Sequence, residues 1–295
     1  MKPHRFSYCR PESVAQAVAA LAALGDDAKV LAGGQSLMPL LNLRLAGPRV
    51  LVDVSSMAEL RGIEIGDEYV TIGAATTHQE ILDSGRQGSG IMPLLGESAS
   101  LIGHWPIRTR GTIGGSLAHA DPAAEWCTLA LALDARIRMV GQSGPRLVGA
   151  DEMFLGPFTS ALADTELLTA VDFPAHIVGY GVREFTIRRG DFATVVVAVA
   201  IRHDRDANPV VRIAAGGIDT RAIRIREGED HLSAALREPR STSPDQLARD
   251  VAAACAGAVH PLADNHASSD YRRHLVGELV AQAATDAIRM GDEVA

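Results

Sequence analysis

The sequence has few cysteines and no cysteine pair at metal-binding spacing. Its 295 residues include only Cys9, Cys127 and Cys255, which lie far apart along the chain. A four-thiolate zinc site or iron–sulfur cluster needs four cysteines, and a disulfide framework is typical of cysteine-dense chains. The chain alone therefore cannot build a four-thiolate centre, and a disulfide framework is not expected. The odd number of thiols favours a reducing cytoplasm.

Lysine and long apolar runs are also scarce. Lys2 and Lys29 are the only lysines, and 28 basic residues face 36 acidic ones, for a formal charge of −8. This balance disfavours non-specific nucleic-acid binding. The longest strongly apolar run, 194–201, is far shorter than the roughly 20 residues of a transmembrane helix. No apolar segment follows the charged amino terminus, so no signal peptide is predicted. We expect a globular cytoplasmic protein of one large or two modest domains.

Several motifs of nucleotide-binding and hydrolytic enzymes are missing. The chain has no Gly-Lys pair for a Walker A loop, no G-x-G-x-x-G dinucleotide fingerprint, no H-E-x-x-H zinc motif and no G-x-S-x-G nucleophile elbow. His119 and Asp121 could supply two metal ligands, but no third accompanies them, and we predict no metal site. We assign no catalytic acid or base to this chain.

Apolar spacing and glycine positions predict a mixed α+β protein. Helices are predicted at 11–24, 35–45, 74–83, 92–102, 121–134, 244–256 and 268–290. Strands are predicted at 29–31, 50–54, 135–140, 167–173, 182–187, 194–203 and 210–215, with a hairpin at 62–73 that turns at Gly66-Asp67. A domain boundary is placed within 174–181, because strands followed by helices beyond it indicate a separate α+β unit.

Two glycine segments share the same chemistry. Ala-Gly-Gly-Gln-Ser at 32–36 and Thr-Ile-Gly-Gly-Ser at 112–116 each place paired glycines beside small hydroxyl residues. Glycine lets the backbone approach a ligand closely and adopt positive φ, and successive N–H groups can converge on an anion. We predict two turns that grip the two phosphates of a diphosphate from opposite sides. The alternative is a pair of tight turns without a ligand.

The segment 120–126 (ADPAAEW) allows two interpretations. Asp121 is a good helix N-cap, Pro122 suits the first helical position, and the helix dipole favours Glu125 in the first turn. That interpretation needs no ligand. Alternatively, the Glu125 carboxylate accepts hydrogen bonds from the hydroxyls of a ribityl or ribose chain beyond a diphosphate.

Four segments carry a family resemblance: AGGQSLMPLLNLRLA (32–46), IRTRGTIGGSLAHADPAAE (107–125), RRGDFA (188–193) and SSDYRRHLVGELV (268–280). They resemble, in order and over nearly the whole chain, the flavoprotein medium subunits of the aerobic carbon monoxide dehydrogenase and xanthine dehydrogenase family of molybdenum hydroxylases. The resemblance implies an FAD-binding domain of the vanillyl-alcohol-oxidase/MurB type at 1–176, with subdomains at about 1–55 and 56–176. A small α+β carboxy-terminal domain of the CO dehydrogenase flavoprotein type is implied at 177–295.

The resemblance also implies which residues bind FAD. Both glycine segments would bind the diphosphate, and Glu125 matches an acidic residue near the ribityl–phosphate chain, with Asp121 close by. Phe192 matches an aromatic residue beside the isoalloxazine, the alternative being a core strand phenylalanine. Glu184 matches a position that faces the flavin ring edge, where some relatives carry lysine. The complete implied set is Ala32, Gly33, Gly34, Gln35, Ser36, Leu37, Leu101, Thr112, Ile113, Gly114, Gly115, Ser116, Asp121, Glu125, Leu168, Glu184 and Phe192.

The function implied by the resemblance is electron transfer. The chain would take electrons from 2Fe–2S clusters of a small partner subunit and pass them through FAD to O₂, NAD or a quinone, while a large molybdopterin-binding subunit oxidises the substrate. The scarcity of cysteine agrees with clusters on another polypeptide. Two alternatives stay open: a self-contained FAD-dependent oxidoreductase of the same fold, and a non-enzymatic assembly subunit.

The expected assembly is a dimer of heterotrimers. An exposed surface is then needed for the iron–sulfur partner. Three arginine pairs are candidates, and each is alternatively a solvated face: Arg108/Arg110, Arg188/Arg189 and Arg272/Arg273.

Overall fold

The amino-terminal part forms a small parallel sheet. The computed structural model describes residues 1–237 and 242–294. The three strands are parallel in the order β1-β3-β2, so β2 is an edge strand that leads directly into the glycine segment 32–36. The elements of this part are β1 (Ser7–Cys9), α1 (Val14–Leu24), β2 (Ala28–Leu31), α2 (Leu37–Leu43) and β3 (Val50–Asp53).

The middle part is built on a five-stranded antiparallel sheet. Its strand order is β4-β5-β10-β6-β7, and the fully buried Trp126, Phe154 and Phe173 belong to the core beside it. The elements are β4 (Ile63–Ile65), β5 (Tyr69–Gly73), α3 (His78–Gly85), α4 (Met92–Leu101), α5 (Trp105–Arg108), α6 (Ile113–His119), α7 (Glu125–Ala132), β6 (Arg136–Gly141), β7 (Gly144–Gly149), α8 (Ala150–Met153), β8 (Phe154–Gly156), β9 (Thr159–Ser160) and β10 (Leu167–Pro174).

The carboxy-terminal part is a four-stranded antiparallel sheet covered by helices. Its strands run in the order β11-β12-β13-β14. Alternate residues of β12 point to two different cores: Val197 and Val199 pack in the helical core, whereas Ala198 belongs to the core of the middle part. Burial on both faces explains the continuous apolar run in this strand. The elements are β11 (Gly179–Phe185), β12 (Val195–His203), β13 (Pro209–Gly216), β14 (Ile223–Arg224), α9 (Arg226–Arg237), α10 (Pro244–Ala258) and α11 (Ser269–Val294).

Most predicted elements exist, but four predicted helices are too long, among them the one predicted at 11–24, which begins at Val14. The helix predicted at 74–83 begins at His78, where Thr77 caps it in a capping box with Glu80. The helix predicted at 35–45 ends after Leu43, because Arg44 adopts the left-handed conformation with φ 60°. The hairpin predicted at 62–73 is confirmed by the antiparallel pairing of β4 with β5.

Asp121 is not the N-cap that the sequence suggested. Its Oδ1 accepts a hydrogen bond from the backbone N–H of Ala123 at 2.9 Å, and the helix begins only at Glu125 with Ala124 before it. An aspartate that bonds two residues ahead forms a turn of its own, which competes with helix initiation. The helix predicted at 121–134 therefore begins four residues later, and it ends at Ala132.

Sequence reasoning missed several short elements and one long one. The long one is α9, a strongly charged helix in which Leu232 is the one large apolar residue that is fully buried. The missed short elements are β1, β7, β8, β9, β14, α5 and α8. The predicted second domain includes residues 238–241 and 295, which lie outside the described residues. None of the helices described in 1–237 and 242–294 is long and apolar enough to cross a membrane.

Candidate functional site

A large cavity lies where the parallel sheet meets the middle part of the protein. Its volume is about 980 Å³, at the upper end of the ~300–1,000 Å³ that is usual for small-molecule sites. Most of its wall comes from four stretches of chain: 26–48 around α2, 74–125 around α6, 158–168 up to the start of β10, and 190–192 before β12; Val54 and Leu60 complete it. The cavity therefore depends on segments that are distant in sequence.

The first glycine segment presents unpaired backbone N–H groups to this cavity. It connects β2 to α2, and Gly34 adopts φ +72°, which glycine accepts without strain. Within the described residues, the N–H groups of 33–37 donate no hydrogen bond. The Gln35 side-chain amide donates a hydrogen bond to the Gly33 carbonyl at 3.1 Å, which stabilises the turn. Successive free N–H groups at the start of a helix are suited to an anion.

The second glycine segment is not a turn, and this prediction was wrong. Thr112 is the N-cap of α6, and its hydroxyl accepts the N–H of Gly115 at 3.1 Å. The N–H of Gly114 donates to the Ala74 carbonyl at 2.9 Å, and the N–H of Ile113 donates to the Thr76 carbonyl at 3.1 Å. Because these N–H groups already have acceptors in the protein, 112–116 can offer a ligand side-chain hydroxyls rather than a backbone nest.

The two glycine segments nevertheless lie against each other, as the prediction of a shared site requires. A Cβ on Gly33 would overlap the Arg110 carbonyl oxygen and lie 2.7 Å from the Cα of Gly111. A Cβ on Gly115 would lie 3.8 Å from the Cβ of Ala32. Gly33 is thus needed for close backbone approach, and both segments belong to one wall of the cavity.

Gly114→Ala is expected to destabilise the ligand-free chain by about 1–3 kcal/mol. The new Cβ would lie 2.5 Å from the Cβ and 2.7 Å from the carbonyl oxygen of Ala74, which also accepts the Gly114 N–H. Gly257→Ala in α10 is the matched control, since its Cβ would meet nothing within 4 Å, and it should stabilise by up to about 1 kcal/mol. Urea unfolding of both variants measures the difference, and equal midpoints for the Gly114 variant and the parent would contradict the packing role.

Nearly all residues that the sequence analysis assigned to a cofactor line this cavity. Ile113 does not, because its side chain is fully buried in the core, and Leu101 packs against the same core. Glu184 also lies outside the lining. The alternative of a core strand phenylalanine at 192 is wrong, because Phe192 precedes β12 and is 73% exposed at the cavity. The predicted residues in the lining are Ala32, Gly33, Gly34, Gln35, Ser36, Leu37, Thr112, Gly114, Gly115, Ser116, Asp121, Glu125, Leu168 and Phe192.

Two carboxyl groups near the start of α7 have raised pKa values. Burial raises the pKa of Glu125 to about 7, and the negative charge of Asp121 adds to the effect. Burial also raises the pKa of Glu184 to about 8, with a further contribution from the charge of Glu125. The Oε2 atom of Glu184 is buried without a hydrogen-bond partner in the described residues. The Glu125 carboxyl, which faces the cavity, is therefore close to half protonated at neutral pH and can both donate to and accept from hydroxyl groups.

His78 is a cavity residue that sequence reasoning missed. It is only 5% exposed, lies in the cavity wall, and its Nδ1 accepts a hydrogen bond from the Trp126 indole N–H at 3.0 Å. The capping box formed by Thr77 and Glu80 is readable in the sequence and would have placed His78 at the first position of a helix. The spacing of that motif does not indicate that the imidazole faces a cavity.

Two of the six arginines that we considered for a partner surface are engaged inside the protein. Arg108 donates to the carbonyls of Ile102 and Gly103 at 3.0 and 2.9 Å. Arg272 is buried, donates to the carbonyl of Thr194 at 2.8 Å and pairs with an aspartate, so the prediction of a surface role is wrong for this residue. Arg110, Arg188 and Arg189 are exposed. Groups of three or more side chains able to hold a metal ion are not found in 1–237 and 242–294.

Two family models match the chain in succession. Residues 4–176 match the FAD binding domain in molybdopterin dehydrogenase, and residues 181–287 match the CO dehydrogenase flavoprotein C-terminal domain. The nicotine 6-hydroxylase medium subunit of Paenarthrobacter nicotinovorans is 35% identical over 287 residues, which cover 97% of this chain and 99% of the relative. The carbon monoxide dehydrogenase medium chain of Hydrogenophaga pseudoflava is 36% identical over 285 residues, which cover 96% and 97%.

Solved structures share the same architecture. Carbon monoxide dehydrogenase from Hydrogenophaga pseudoflava lacking the Mo-pyranopterin moiety of its molybdenum cofactor superposes with a TM-score of 0.87 at 35% identity, covering 98% of this chain and 99% of that one. Quinoline 2-oxidoreductase from Pseudomonas putida 86 superposes with a TM-score of 0.89 at 30% identity, covering 99% of both. The predicted α+β fold, an FAD-binding domain followed by a smaller α+β domain, is confirmed.

Proposed function

The chain belongs to the family of FAD-binding medium subunits of molybdenum hydroxylases, and we propose that it is the electron-transfer subunit of such a complex. It receives electrons from 2Fe–2S clusters of a small subunit and passes them to an external acceptor, which is O₂, NAD or a quinone. A large molybdopterin-binding subunit oxidises the substrate. The complex is a dimer of heterotrimers in the cytoplasm.

The observation that carries the proposal is the cavity with unpaired backbone N–H groups at 33–37. These groups, together with the hydroxyls of Ser36 and Ser116, fit the diphosphate of FAD. The Glu125 carboxyl fits a hydroxyl of the ribityl chain, and Leu168 and Phe192 supply apolar surface in the wall for the flavin end. When bound, FAD supplies a group that accepts electrons one at a time and delivers two, while the protein binds and orients it.

The cysteine content supports clusters on a partner rather than on this chain. Cys127 and Cys255 are buried, and burial raises the pKa of both thiols, so neither is disposed to act as a thiolate ligand. Cys9 alone cannot hold a cluster. The exposed Arg188 and Arg189 are near the cavity residues 190–192, and we propose this rim as the contact for the iron–sulfur subunit.

Purification of the full chain with its co-purifying polypeptides tests the proposal. We expect one FAD per chain, seen as the absorption of oxidised flavin, and partner polypeptides that contain 2Fe–2S clusters and molybdenum. The chain alone should show at most a diaphorase-like activity, in which electrons from a reduced donor pass through the flavin to an artificial acceptor. Turnover of a small organic substrate by the chain alone would favour a self-contained oxidoreductase, and a colourless protein that binds no added FAD would favour an assembly subunit.

A further inference from the structure

The His78 imidazole is held in one tautomer by its neighbour in the core. The indole N–H of Trp126 is a donor only, and it donates to Nδ1 of His78 at 3.0 Å. Nδ1 must therefore be the acceptor nitrogen, and in the neutral ring the proton lies on Nε2. Burial lowers the pKa of His78 to about 3, and the nearby positive charge of Arg108 lowers it further. The ring is neutral at every physiological pH.

The Nε2–H of His78 has no partner in the part of the chain that the structure describes. His78 is 95% buried and lines the cavity. Its Nε2 is nevertheless not fully enclosed by protein atoms. The N–H group therefore opens onto the cavity. A polar side chain this deeply buried, with one free donor directed at a binding site, is suited to an acceptor on a ligand.

Gly111 keeps this donor accessible. A Cβ at Gly111 would lie 2.9 Å from both Nε2 and Cδ2 of His78 and would cover the N–H group. The Gly111 carbonyl also accepts the backbone N–H of His78 at 3.0 Å, which fixes the imidazole beside the glycine. A Cβ on Gly33 would lie 2.7 Å from the Cα of this same Gly111. His78 is thus joined, through one glycine, to the segment that presents the free N–H groups of 33–37.

We propose that His78 is a further cofactor-binding residue, whose Nε2–H donates a hydrogen bond to the diphosphate of FAD. The inference deepens the proposed function and rests on it. A neutral donor stabilises the charged oxygens without bringing a second cation beside Arg108. The Trp126 indole is then a positioning group, because it directs the imidazole proton toward the cavity.

The test compares the affinity of the full chain without bound flavin for FAD and for ADP, which contains the diphosphate and no flavin. In His78→Leu the donor is lost, and both affinities should fall by about the same factor, about 10- to 100-fold. His78→Gln can accept from Trp126 and donate into the cavity, so it should stay within about threefold of the parent. Gly111→Ala keeps the imidazole but places a Cβ 2.9 Å from its Nε2, so the ring and the new methyl group must move apart and the N–H is covered; this variant should resemble His78→Leu.

The unfolding midpoint of each variant shows whether that variant is folded. If His78→Leu does not fold, Gly111→Ala provides the test. Unchanged affinity for both ligands in His78→Leu and Gly111→Ala would overturn the inference, as would a loss confined to FAD, which would place the contact at the flavin. Failure of His78→Gln to rescue binding would also overturn it, because the effect would then be structural. If the parent chain bound neither FAD nor ADP, the proposed function itself would fail.

Discussion

Ser36→Glu is expected to weaken FAD binding at least about thirtyfold without lowering the stability of the flavin-free chain. Ser36 lies at the start of α2 among the free N–H groups, lines the cavity, and its hydroxyl caps no backbone group. A carboxylate there would be close to the diphosphate. Two unit charges about 4 Å apart repel by about 4 kcal/mol at an effective dielectric constant near 20. If solvent screening halves this repulsion to about 2 kcal/mol, the affinity for FAD falls about thirtyfold.

The same substitution has the opposite effect on the protein alone. A carboxylate near a helix N-terminus is favourable by about 0.3–1 kcal/mol, so the urea midpoint of the flavin-free variant should stay equal or rise. Ser36→Gln, which matches the glutamate in size without its charge, also loses the Ser36 hydroxyl but brings no repulsion, so its loss of affinity should be several times smaller than that of Ser36→Glu. FAD titration followed by flavin fluorescence measures both variants. Equal losses for the two substitutions would mean that size, not charge, limits binding, and would contradict an anion site at 33–37.

Glu125→Gln should make the flavin-free chain more stable than the parent at pH 8, and this advantage should vanish near pH 4.5. The ordinary pKa of 4.5 applies to the unfolded chain, whereas burial raises the folded value to about 7. The folded parent therefore holds a proton that the unfolded chain has released, and its stability falls as pH rises from about 4.5 to 7. The loss reaches up to about 3 kcal/mol, and glutamine, which does not titrate, avoids it.

Glu166→Gln is the control, because its effect on stability should have the opposite sign to that of Glu125→Gln. Arg146 donates two hydrogen bonds to this carboxylate, at 2.6 and 2.7 Å, and they lower the pKa of Glu166. The parent should therefore be more stable than this variant at neutral pH, and the difference should shrink as acid protonates the carboxyl. Urea unfolding between pH 4.5 and 8 follows both. A Glu125 variant whose advantage did not grow with pH would show that this carboxyl is not held near neutrality by burial.

The sequence was sufficient to single out two glycine segments that line one cavity, but not to show how each of their residues acts. Paired glycines beside hydroxyl residues are local features, and both segments do line one cavity. Whether a backbone N–H is free depends on distant acceptors. The carbonyls of Ala74 and Thr76, almost forty residues before α6, take up the N–H groups of Gly114 and Ile113, and no local pattern at 112–116 contains that information.

Burial of polar side chains was equally invisible in the sequence. His78 follows a readable capping box, yet its contact with Trp126 joins residues 48 positions apart. Arg108 and Arg272 looked like surface cations and instead satisfy internal carbonyl groups. In contrast, the β4–β5 hairpin was predictable, because alternation and a Gly-Asp turn are local signals. Local patterns also predicted a domain boundary within 174–181, and the family resemblance added which kind of domain to expect on each side of it.

A crystal structure of the full chain with FAD bound tests the central claim most directly. We predict oxygens of the diphosphate at hydrogen-bonding distance, about 2.7–3.2 Å, from backbone N–H groups of 33–37, inside the cavity that α6 also lines. FAD bound elsewhere on the chain, or bound in the cavity with its diphosphate out of reach of those N–H groups, would contradict the account.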